Sequence, residues 1–303
     1  MADQPKTRKT AADFSPQTLK LFDQYVHGDI SRRDFLSGVA RFAVAGVTAL
    51  SILEALQPDY AFGQQISPDD PALSSRYLEL PSPAGYGTVR GYLAQPKAAD
   101  TDSGNRPLVL VVHENRGLNP HIEDVTRRLA LAGFIAFAPD ALFPLGGYPG
   151  DEDKARALFG TLDQDKTKQD FIAVAKAMQS WPQGNGKLGV TGFCYGGGMA
   201  NFLATELPEL KAAVPFYGRQ ADADKVAAIQ APLLIHYAEQ DERVNAGAAA
   251  YDAALKAAGK NAVSYMYPDT QHGFHNDTTP RYNQAAAELA WQRTLAFFNQ
   301  HLS

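Results

Sequence analysis

The only cysteine of this 303-residue chain, Cys194, lies in a glycine-rich stretch, TGFCYGGG, at residues 191–198. The run KLGVTGF before it is typical of a strand, and GGGMANFLA after it is typical of the start of a helix. A sharp strand-to-helix turn of the form G-x-nucleophile-x-G needs small residues where Gly192 and Gly196 stand. A thiol at a helix N-terminus is favoured as the thiolate. The stretch therefore predicts that Cys194 is a nucleophile, although a single cysteine is more often a small buried apolar residue.

A nucleophile in such a turn needs a base, and the base needs a group that orients it. Asp241 ends the apolar run PLLIHYAEQD, and His272 follows the strand-like run VSYMYP. The chain order nucleophile, acid, histidine is the order of α/β-hydrolases. We therefore predict that Asp241 orients His272 and that His272 accepts the proton of Cys194. Nearby side chains remain alternatives for the acid and the base: Glu239, Glu242, His236 and His275.

Other chemistries of a glycine-rich turn are disfavoured by the sequence. No Gly-Lys-Ser/Thr ending and no G-x-G-x-x-G pattern accompanies the glycines, which argues against a phosphate-binding loop. A thiol redox enzyme would need a second cysteine to resolve a sulfenic acid, and the chain has one cysteine. No His/Asp/Glu cluster has the sequence spacing of metal ligands, so we predict neither a metal nor another cofactor.

The elements around these residues alternate between strands and helices. Residues 107–112, PLVLVV, form an apolar run that suits a strand buried on both faces of a parallel sheet. The next segment predicts a helix that is capped by Asn119 and ended by Gly133. An antiparallel hairpin is predicted over 76–80 and 88–94. The pattern indicates a single α/β domain with a mainly parallel sheet and helices on both faces. Together with the chain order nucleophile, acid, histidine it favours the α/β-hydrolase fold, for which we expect a twisted sheet of about eight strands.

The first 63 residues form a separate N-terminal extension in our division of the chain. The segment ISRRDFL, residues 30–36, resembles a twin-arginine export signal, and 61–63 could supply the cleavage box. This resemblance predicts contact with the export machinery and a periplasmic or exported protein. The alternative is an amphipathic helical extension that packs on the body of a cytoplasmic protein. Residues 64–75 are predicted to be a linker, and residues 76–303 the catalytic domain.

Charge and hydropathy narrow the partners. The chain has 28 basic and 33 acidic residues, a net charge of −5, which argues against a nucleic-acid partner. The uncharged run between Arg41 and Glu54 has twelve residues, fewer than the ~20 that a transmembrane helix needs. We therefore predict no stable membrane anchor. A small-molecule substrate is the partner that remains.

Four motifs together carry a family resemblance: VVHENRG, FAPD, GFCYGGG and HGF. From about residue 76 to the C-terminus the chain resembles the dienelactone hydrolase (carboxymethylenebutenolidase) family of α/β-hydrolases. The resemblance implies a cofactor-independent hydrolase of esters or lactones that acts through an acyl-cysteine. It also implies that Glu114 contacts the thiol and helps to generate the thiolate, and that the backbone N–H groups of Asn115 and Tyr195 form an oxyanion hole.

The expected substrate contacts depart from the family pattern. Family members bind a substrate carboxylate with two arginines, but one of these positions is Asn276 here and Lys154 lies near the other. Arg116 is our first candidate for a different anion contact, with Tyr148 and Phe274 for an apolar part of the substrate. Further candidate anion contacts are Lys154, Arg156, Arg219 and Arg281. The missing arginines favour an alternative function, a non-catalytic or stress-associated binding module on the same fold.

Overall fold

A computed structural model describes residues 8–42, 47–100 and 105–303 of the chain. Eight strands in this part form one sheet, with the spatial order β1-β2-β4-β3-β5-β6-β7-β8. The pairs β1–β2 and β2–β4 are antiparallel, and all other neighbours are parallel. The strands are β1 (Leu73–Ser82), β2 (Gly87–Pro96), β3 (Arg106–Val112), β4 (Ile135–Pro139), β5 (Gly184–Phe193), β6 (Ala212–Phe216), β7 (Leu233–Gln240) and β8 (Ala262–Gln271).

The α-helices of the described residues divide into an N-terminal group and a group around the sheet. The first group is α1 (Pro16–His27), α2 (Arg32–Ala40), α3 (Ala49–Leu56) and α4 (Tyr60–Gly63). The second is α5 (Pro120–Leu131), α6 (Glu152–Phe159), α7 (Gln164–Gln179), α8 (Tyr195–Glu206), α9 (Glu242–Asn245), α10 (Ala248–Ala257) and α11 (Gln284–Leu302).

The central strand β3 shows how both faces of the sheet are covered. Leu110 belongs to an apolar cluster with residues of α7, α8 and α10, and Val111 to a second cluster with residues of α5 and α11. Both side chains are fully buried. Successive strand residues point to opposite faces, so the continuous apolar run at 107–112 is explained. The predicted α/β fold with a mainly parallel sheet is confirmed.

Local sequence patterns predict which helices and strands form more accurately than they predict the residues at which these elements begin and end. The side chain of Asn119 accepts a hydrogen bond from the N–H of Ile122 at 3.1 Å and caps α5, and Gly133 follows that helix with a φ of +103°. The predicted hairpin is formed by β1 and β2, which are both longer than expected. β1 begins at Leu73, inside the segment predicted to be a linker.

The N-terminal helices build an apolar cluster of their own against the domain. It includes Phe22, Tyr25 and Phe35, and Phe35 belongs to the twin-arginine-like segment. The N–H of Asp59 donates to the carbonyl of Thr278 at 2.8 Å, which ties this segment to the loop after β8. The described residues of the extension therefore form helices that are packed together and tied to the sheet domain. Residues 43–46 of the apolar run lie outside the described residues, and export itself stays a prediction.

The segment that follows α4 is hydrogen-bonded to α5 through Gln65 and Ile66. The backbone N–H groups of Gln65 and Ile66 donate to the carboxylate of Asp124 at 3.2 and 2.8 Å, and Arg127 donates to the carbonyl of Ile66 at 2.9 Å. Because Asp124 and Arg127 belong to α5, the segment fastens the extension to the sheet domain.

Among the helices in the described ranges, none combines the length and the apolar character needed to cross a membrane.

Candidate active site

Cys194 lies at the junction of β5 and α8 with a φ of 55° and a ψ of −111°. Non-glycine residues rarely have a positive φ, and such strain is characteristic of a nucleophile elbow. A Cβ at Gly192 would lie 2.1 Å from the carbonyl oxygen of Gly196, and one at Gly196 would lie 2.2 Å from that of Val112. Glycine is therefore required at both positions, because backbone fills the space that a side chain would take.

His272 and Asp241 lie at the carboxyl ends of β8 and β7. The Nδ1 atom of His272 is 2.6 Å from Oδ2 of Asp241. The second carboxylate oxygen of Asp241 accepts a hydrogen bond from the N–H of Val244 at 3.1 Å and caps the short helix α9. Because one carboxylate binds both the ring and a helix N-terminus, it holds the imidazole in a single orientation, with Nε2 on the side of Cys194.

The alternative histidines lie elsewhere. His236 is fully buried, and its two ring nitrogens are 3.1 Å from the hydroxyl of Thr294 and 2.9 Å from that of Tyr267. His275 is buried, with its ring stacked on Phe193. Neither lines the cavities that reach Cys194.

The alternative acids also have other partners. Glu242 forms an exposed ion pair with Lys20 at 2.9 Å, and Glu239 accepts a hydrogen bond from the N–H of Asp269 at 2.8 Å. Among the acids and histidines named from the sequence, Asp241 and His272 are therefore the two that contact each other beside Cys194.

The charges of the site favour a thiolate beside an imidazolium. Burial raises the pKa of the Cys194 thiol, but the charge of His272 and the contacts of the thiol with His272 and His27 lower it more, from 9.0 to about 5. Burial lowers the pKa of His272, but Cys194 and Asp241 raise it, to about 10. Both shifts have one origin, because each ionised group stabilises the other. These directions favour a Cys194 thiolate beside a protonated His272 at neutral pH.

A third side chain, His27, enters the site from the end of α1. Its Nε2 atom is 3.6 Å from Sγ of Cys194 and 3.3 Å from Nε2 of His272. Its Nδ1 atom is 2.7 Å from the carbonyl oxygen of Asp23. No sequence pattern predicted a role for His27, which lies 167 residues before Cys194. Its one local signal is its place at the end of an amphipathic helix, before Gly28.

Two arginines around the site bind the carbonyl groups at the end of α1. Arg116 donates to the carbonyl of Val26 at 3.3 Å, and the side-chain amide of Asn115 donates to the same oxygen at 3.0 Å. Arg156 donates to the carbonyl of Tyr25. The last carbonyls of a helix carry partial negative charge and attract cations. Arg116 and Arg156 are therefore already bound to carbonyl groups of α1, and these contacts would compete with the binding of a substrate anion.

Two further arginines contact side chains of the same helical turn. Arg243, which is exposed, donates to Nε2 of His27 at 2.8 Å. The guanidinium group of Arg281 is 3.7 Å from the carboxylate of Asp23. Cationic side chains thus surround the end of α1 on several sides.

Two cavities reach Cys194. The small cavity has a volume of about 50 Å³ and is lined by Cys194, His272 and residues of α1, including Phe22 and His27. The large cleft has a volume of about 660 Å³ and opens on the side of Tyr195. Pockets that bind small molecules commonly measure about 300–1,000 Å³. The large cleft is therefore the route by which a substrate can reach the thiol.

The residues that the resemblance assigned to the oxyanion hole flank the thiol. Tyr195 is the first residue of α8, where backbone N–H groups lack partners within the helix. It lines the large cleft together with Asn115. Glu114 lines the small cavity, and its carboxylate accepts a hydrogen bond from the side chain of Asn276 at 3.0 Å. The residue that replaces a family arginine thus binds Glu114.

The predicted substrate contacts need correction. Phe274 is fully buried between the rings of Tyr217 and Tyr267 and lines neither cavity. The hydroxyl of Tyr148 donates to Glu152 at 2.7 Å, and this side chain also lies outside both cavity walls. Arg116 lines the small cavity, but its guanidinium group binds the end of α1.

The fold also assembles a group of metal-ligand types that sequence spacing did not show. Among the described residues, the ligand atoms of His27, Cys194 and His272 all lie within 4.8 Å of one another. The prediction of no metal rested on local sequence spacing, whereas these three residues come from α1, the elbow and the loop after β8.

Comparisons with known families and proteins match the greater part of the chain. The profile of the "Dienelactone hydrolase family" matches residues 89–302, and a second profile, "YqhI-like", matches residues 6–45, the segment that contains His27. The "Putative carboxymethylenebutenolidase" of Escherichia coli (strain K12) is 34% identical over 250 residues, which cover 78% of this chain and 90% of that protein. The "Putative hydrolase fragment YghX" of the same organism is 52% identical over 117 residues, 39% of this chain and 97% of that protein.

Solved structures agree with these matches. The crystal structure of a "Putative Dienelactone Hydrolase" from Klebsiella pneumoniae subsp. pneumoniae MGH 78578 has a TM-score of 0.65 and 31% identity, and covers 75% of this chain and 100% of its own. A dienelactone hydrolase-like promiscuous phosphotriesterase from metagenomic libraries has a TM-score of 0.64 and 23% identity, and covers 77% of this chain and 100% of its own. At that identity the second likeness shows the fold alone.

The elbow generates the first prediction. The variant Gly192→Ala should lower the free energy of unfolding by at least about 2 kcal/mol, because its Cβ overlaps the Gly196 backbone. Gly198→Ala is the matched control, since its nearest neighbour would lie at 3.5 Å. Alanine in that helix should be neutral or stabilising by up to about 1 kcal/mol. Urea unfolding of both variants measures the difference, and equal stabilities would contradict the steric argument.

The ion pair generates the second prediction. Iodoacetamide reports on Cys194 alone, because the chain has no other cysteine. A thiol pKa lowered to about 5 means that the thiolate persists above that pH, so the alkylation rate should stay near its plateau at neutral pH and reach half of it near pH 5. The variant His272→Gln removes the positive charge and should move the midpoint upward. A midpoint for the native protein near 9.0, the ordinary value, would refute the ion pair.

Proposed function

The chain belongs to the dienelactone hydrolase family, and from that premise we propose that it hydrolyses esters or lactones through an acyl-cysteine on Cys194. One observation carries the proposal. His272, fixed by Asp241 at 2.6 Å, and the thiol of the strained elbow lie within reach of each other, and the thiol lines a large cleft. A nucleophile, a base and an orienting acid in this order constitute a triad for acyl transfer.

The proposed first half-reaction begins with the thiolate. Sγ of Cys194 attacks the carbonyl carbon of the substrate and forms a tetrahedral intermediate. Its oxyanion accepts hydrogen bonds from the backbone N–H groups of Asn115 and Tyr195. The protonated His272 then gives its proton to the oxygen of the leaving alcohol as the carbon–oxygen bond breaks. The products of this step are the alcohol and a thioester, or a single thioester with a free hydroxyl when the substrate is a lactone.

The second half-reaction uses the same groups in reverse. His272, now neutral, accepts a proton from water, and the resulting hydroxide attacks the thioester carbonyl. Collapse of the second tetrahedral intermediate expels the thiolate of Cys194 and releases the acid. Asp241 keeps the ring oriented through both steps and stabilises its positive charge.

The large cleft supports a substrate with an apolar acyl group and an anionic end. Its lining includes the apolar side chains of Phe159, Met199 and Phe202. It also includes four cationic side chains: Lys168, Arg219, Lys225 and Arg243. Asn276 cannot supply the cation that family members place at that position. We therefore propose that a carboxylate on the substrate is bound by cationic side chains of the large cleft and not beside Asn276.

The alternative function, a binding module without turnover, has one observation in its favour. The last turn of α1 fills most of the space on one side of the thiol, and His27 contacts both Cys194 and His272. A protein that only binds a ligand could keep this arrangement permanently. A hydrolase must retain access to the thiol, which the large cleft provides.

The triad generates the third prediction. Cys194→Ala should abolish turnover of small activated esters and lactones, a loss of at least about 10³-fold in kcat/KM. Asp241→Asn should keep the fold and lose about 10²- to 10⁴-fold, because His272 loses its orienting partner. Rapid acid quench followed by intact-protein mass spectrometry should show an acyl adduct on native protein but not on Cys194→Ala. Turnover that survives Cys194→Ala would exclude the acyl-cysteine, and binding without any turnover would favour the alternative.

The cleft generates the fourth prediction. Arg219 is exposed and its closest acidic partner, Asp222, is 3.6 Å away. Arg219→Ala should raise KM by up to about fivefold for an ester that carries a carboxylate, because an exposed ion pair contributes up to about 1 kcal/mol. Asp222→Asn should lower the same KM, since it removes a competing anion. Steady-state kinetics with a neutral ester of the same size is the control, and an equal change in both substrates would exclude the charge contact.

A further inference from the structure

The side chain of His27 completes a set of metal ligands inside the proposed active site. The three ligand atoms are Nε2 of His27, Sγ of Cys194 and Nε2 of His272. The two histidine nitrogens are 3.3 Å apart, whereas the ring centroids are 4.6 Å apart. The nitrogen edges of the two rings therefore face each other, and the thiol lies 3.6 Å from one of them.

These separations are those of a tetrahedral zinc site. Zn–N bonds of about 2.05 Å and Zn–S bonds of about 2.3 Å, at tetrahedral angles, place two nitrogens about 3.3–3.4 Å apart and a sulfur and a nitrogen about 3.5–3.6 Å apart. The observed distances are 3.3 Å and 3.6 Å. The third pair, Sγ of Cys194 and Nε2 of His272, lies within 4.8 Å, so a zinc ion fits between the three atoms when this pair takes the same tetrahedral separation.

The outer partners of both histidines support the same conclusion. Nδ1 of His272 is 2.6 Å from the carboxylate of Asp241, and Nδ1 of His27 is 2.7 Å from the carbonyl oxygen and 3.3 Å from the carboxylate of Asp23. Ligating histidines almost always donate their second ring N–H to a carboxylate or carbonyl, which leaves the other nitrogen free for the metal. Both rings of this group have that arrangement.

The surroundings leave room for a fourth ligand and supply compensating charge. The small cavity of about 50 Å³ borders all three ligands and can hold a water molecule. The carboxylates of Asp23 and Asp241 lie next to the two imidazoles. Arg243 competes with the metal, because it donates to the same His27 nitrogen at 2.8 Å. Its side chain is exposed, so the guanidinium group can move into solvent when the metal binds.

We propose that His27, Cys194 and His272 form a Zn²⁺ site and that the bound ion inhibits hydrolysis. The ligand geometry carries the site itself, and only the inhibitory effect rests on the proposed function. Zinc would take up the sulfur that attacks the substrate and the nitrogen that transfers the proton. It would also join the end of α1 to the two catalytic residues and hold the extension over the site.

Co²⁺ is the probe for the site, because cobalt substitutes for zinc and its absorption reports on ligands and geometry. Full-length protein that has been freed of metal with a chelator should bind one equivalent of Co²⁺. We expect thiolate-to-cobalt absorption in the near ultraviolet and the visible bands of tetrahedral Co²⁺. Zn²⁺ should displace the cobalt and abolish both signals. A spectrum without the thiolate band would overturn the proposal.

Variants then identify the ligands. His27→Gln should weaken Co²⁺ binding by more than about 100-fold, since a loss beyond that of an outer-shell partner is expected for a direct ligand. Arg243→Gln should tighten binding by about fivefold, because it removes a competing cation. His301→Gln, a change on the distant helix α11, is the matched control and should leave affinity unchanged. Circular dichroism checks that each variant is folded, and equal affinity of His27→Gln and native protein would contradict the site.

An activity measurement tests the inhibitory effect separately. Zn²⁺ should inhibit ester turnover by native protein, a chelator should restore it, and the turnover that remains in His27→Gln should resist the same zinc concentration. Stimulation by zinc, or equal inhibition of both proteins, would overturn the regulatory part. Cobalt binding without any esterase activity would refute the proposed function but not the site. Esterase activity without the cobalt spectrum would refute the site but not the function.

Discussion

The close approach of backbone at the turn between β5 and α8 is the constraint on which the rest of the site depends. The carbonyl of Gly196 occupies the space where residue 192 would carry a Cβ, and the carbonyl of Val112 does the same for residue 196. This contact forces Cys194 into a positive φ and lifts its thiol above the carboxyl edge of the sheet. Parallel strands end at that edge, so the loops after β7 and β8 bring Asp241 and His272 to the same place.

Polar and charged contacts at this edge of the sheet also join Cys194 and His272 to the N-terminal extension. At the end of α1, backbone carbonyl groups, Asp23 and His27 contact four arginines: Arg116, Arg156, Arg243 and Arg281. Cations near a helix C-terminus stabilise it, and the same cations attract the carboxylate of a substrate. The extension and an anionic ligand would therefore compete for related contacts, and Arg243, which contacts His27 and also lines the large cleft, is a side chain that both could use.

Much of the fold and the central part of the site could be predicted from local patterns. Three features depend only on neighbours within a few residues along the chain: the apolar run at 107–112, the helix cap at Asn119 and the glycines around Cys194. Each belongs to a single strand, helix or turn, so the local sequence is enough to predict its structure. The chain order of Cys194, Asp241 and His272 follows from the topology of the sheet.

Contacts between distant segments could not be predicted in the same way. The position of His27 depends on how four helices of the extension pack against the domain, and no spacing in the sequence encodes that packing. Phe274 was predicted to contact an apolar part of the substrate, yet the turn at Gly273, with a φ of +85°, directs it into the core. The proposed metal site combines both situations: two ligands were predictable as catalytic residues, but only the packing of α1 brings the third to them. Acyl transfer and metal binding need the same sulfur and nitrogen lone pairs, so they exclude each other. The packing of α1 supplies His27, the one ligand that the proposed metal binding needs and the proposed acyl transfer does not.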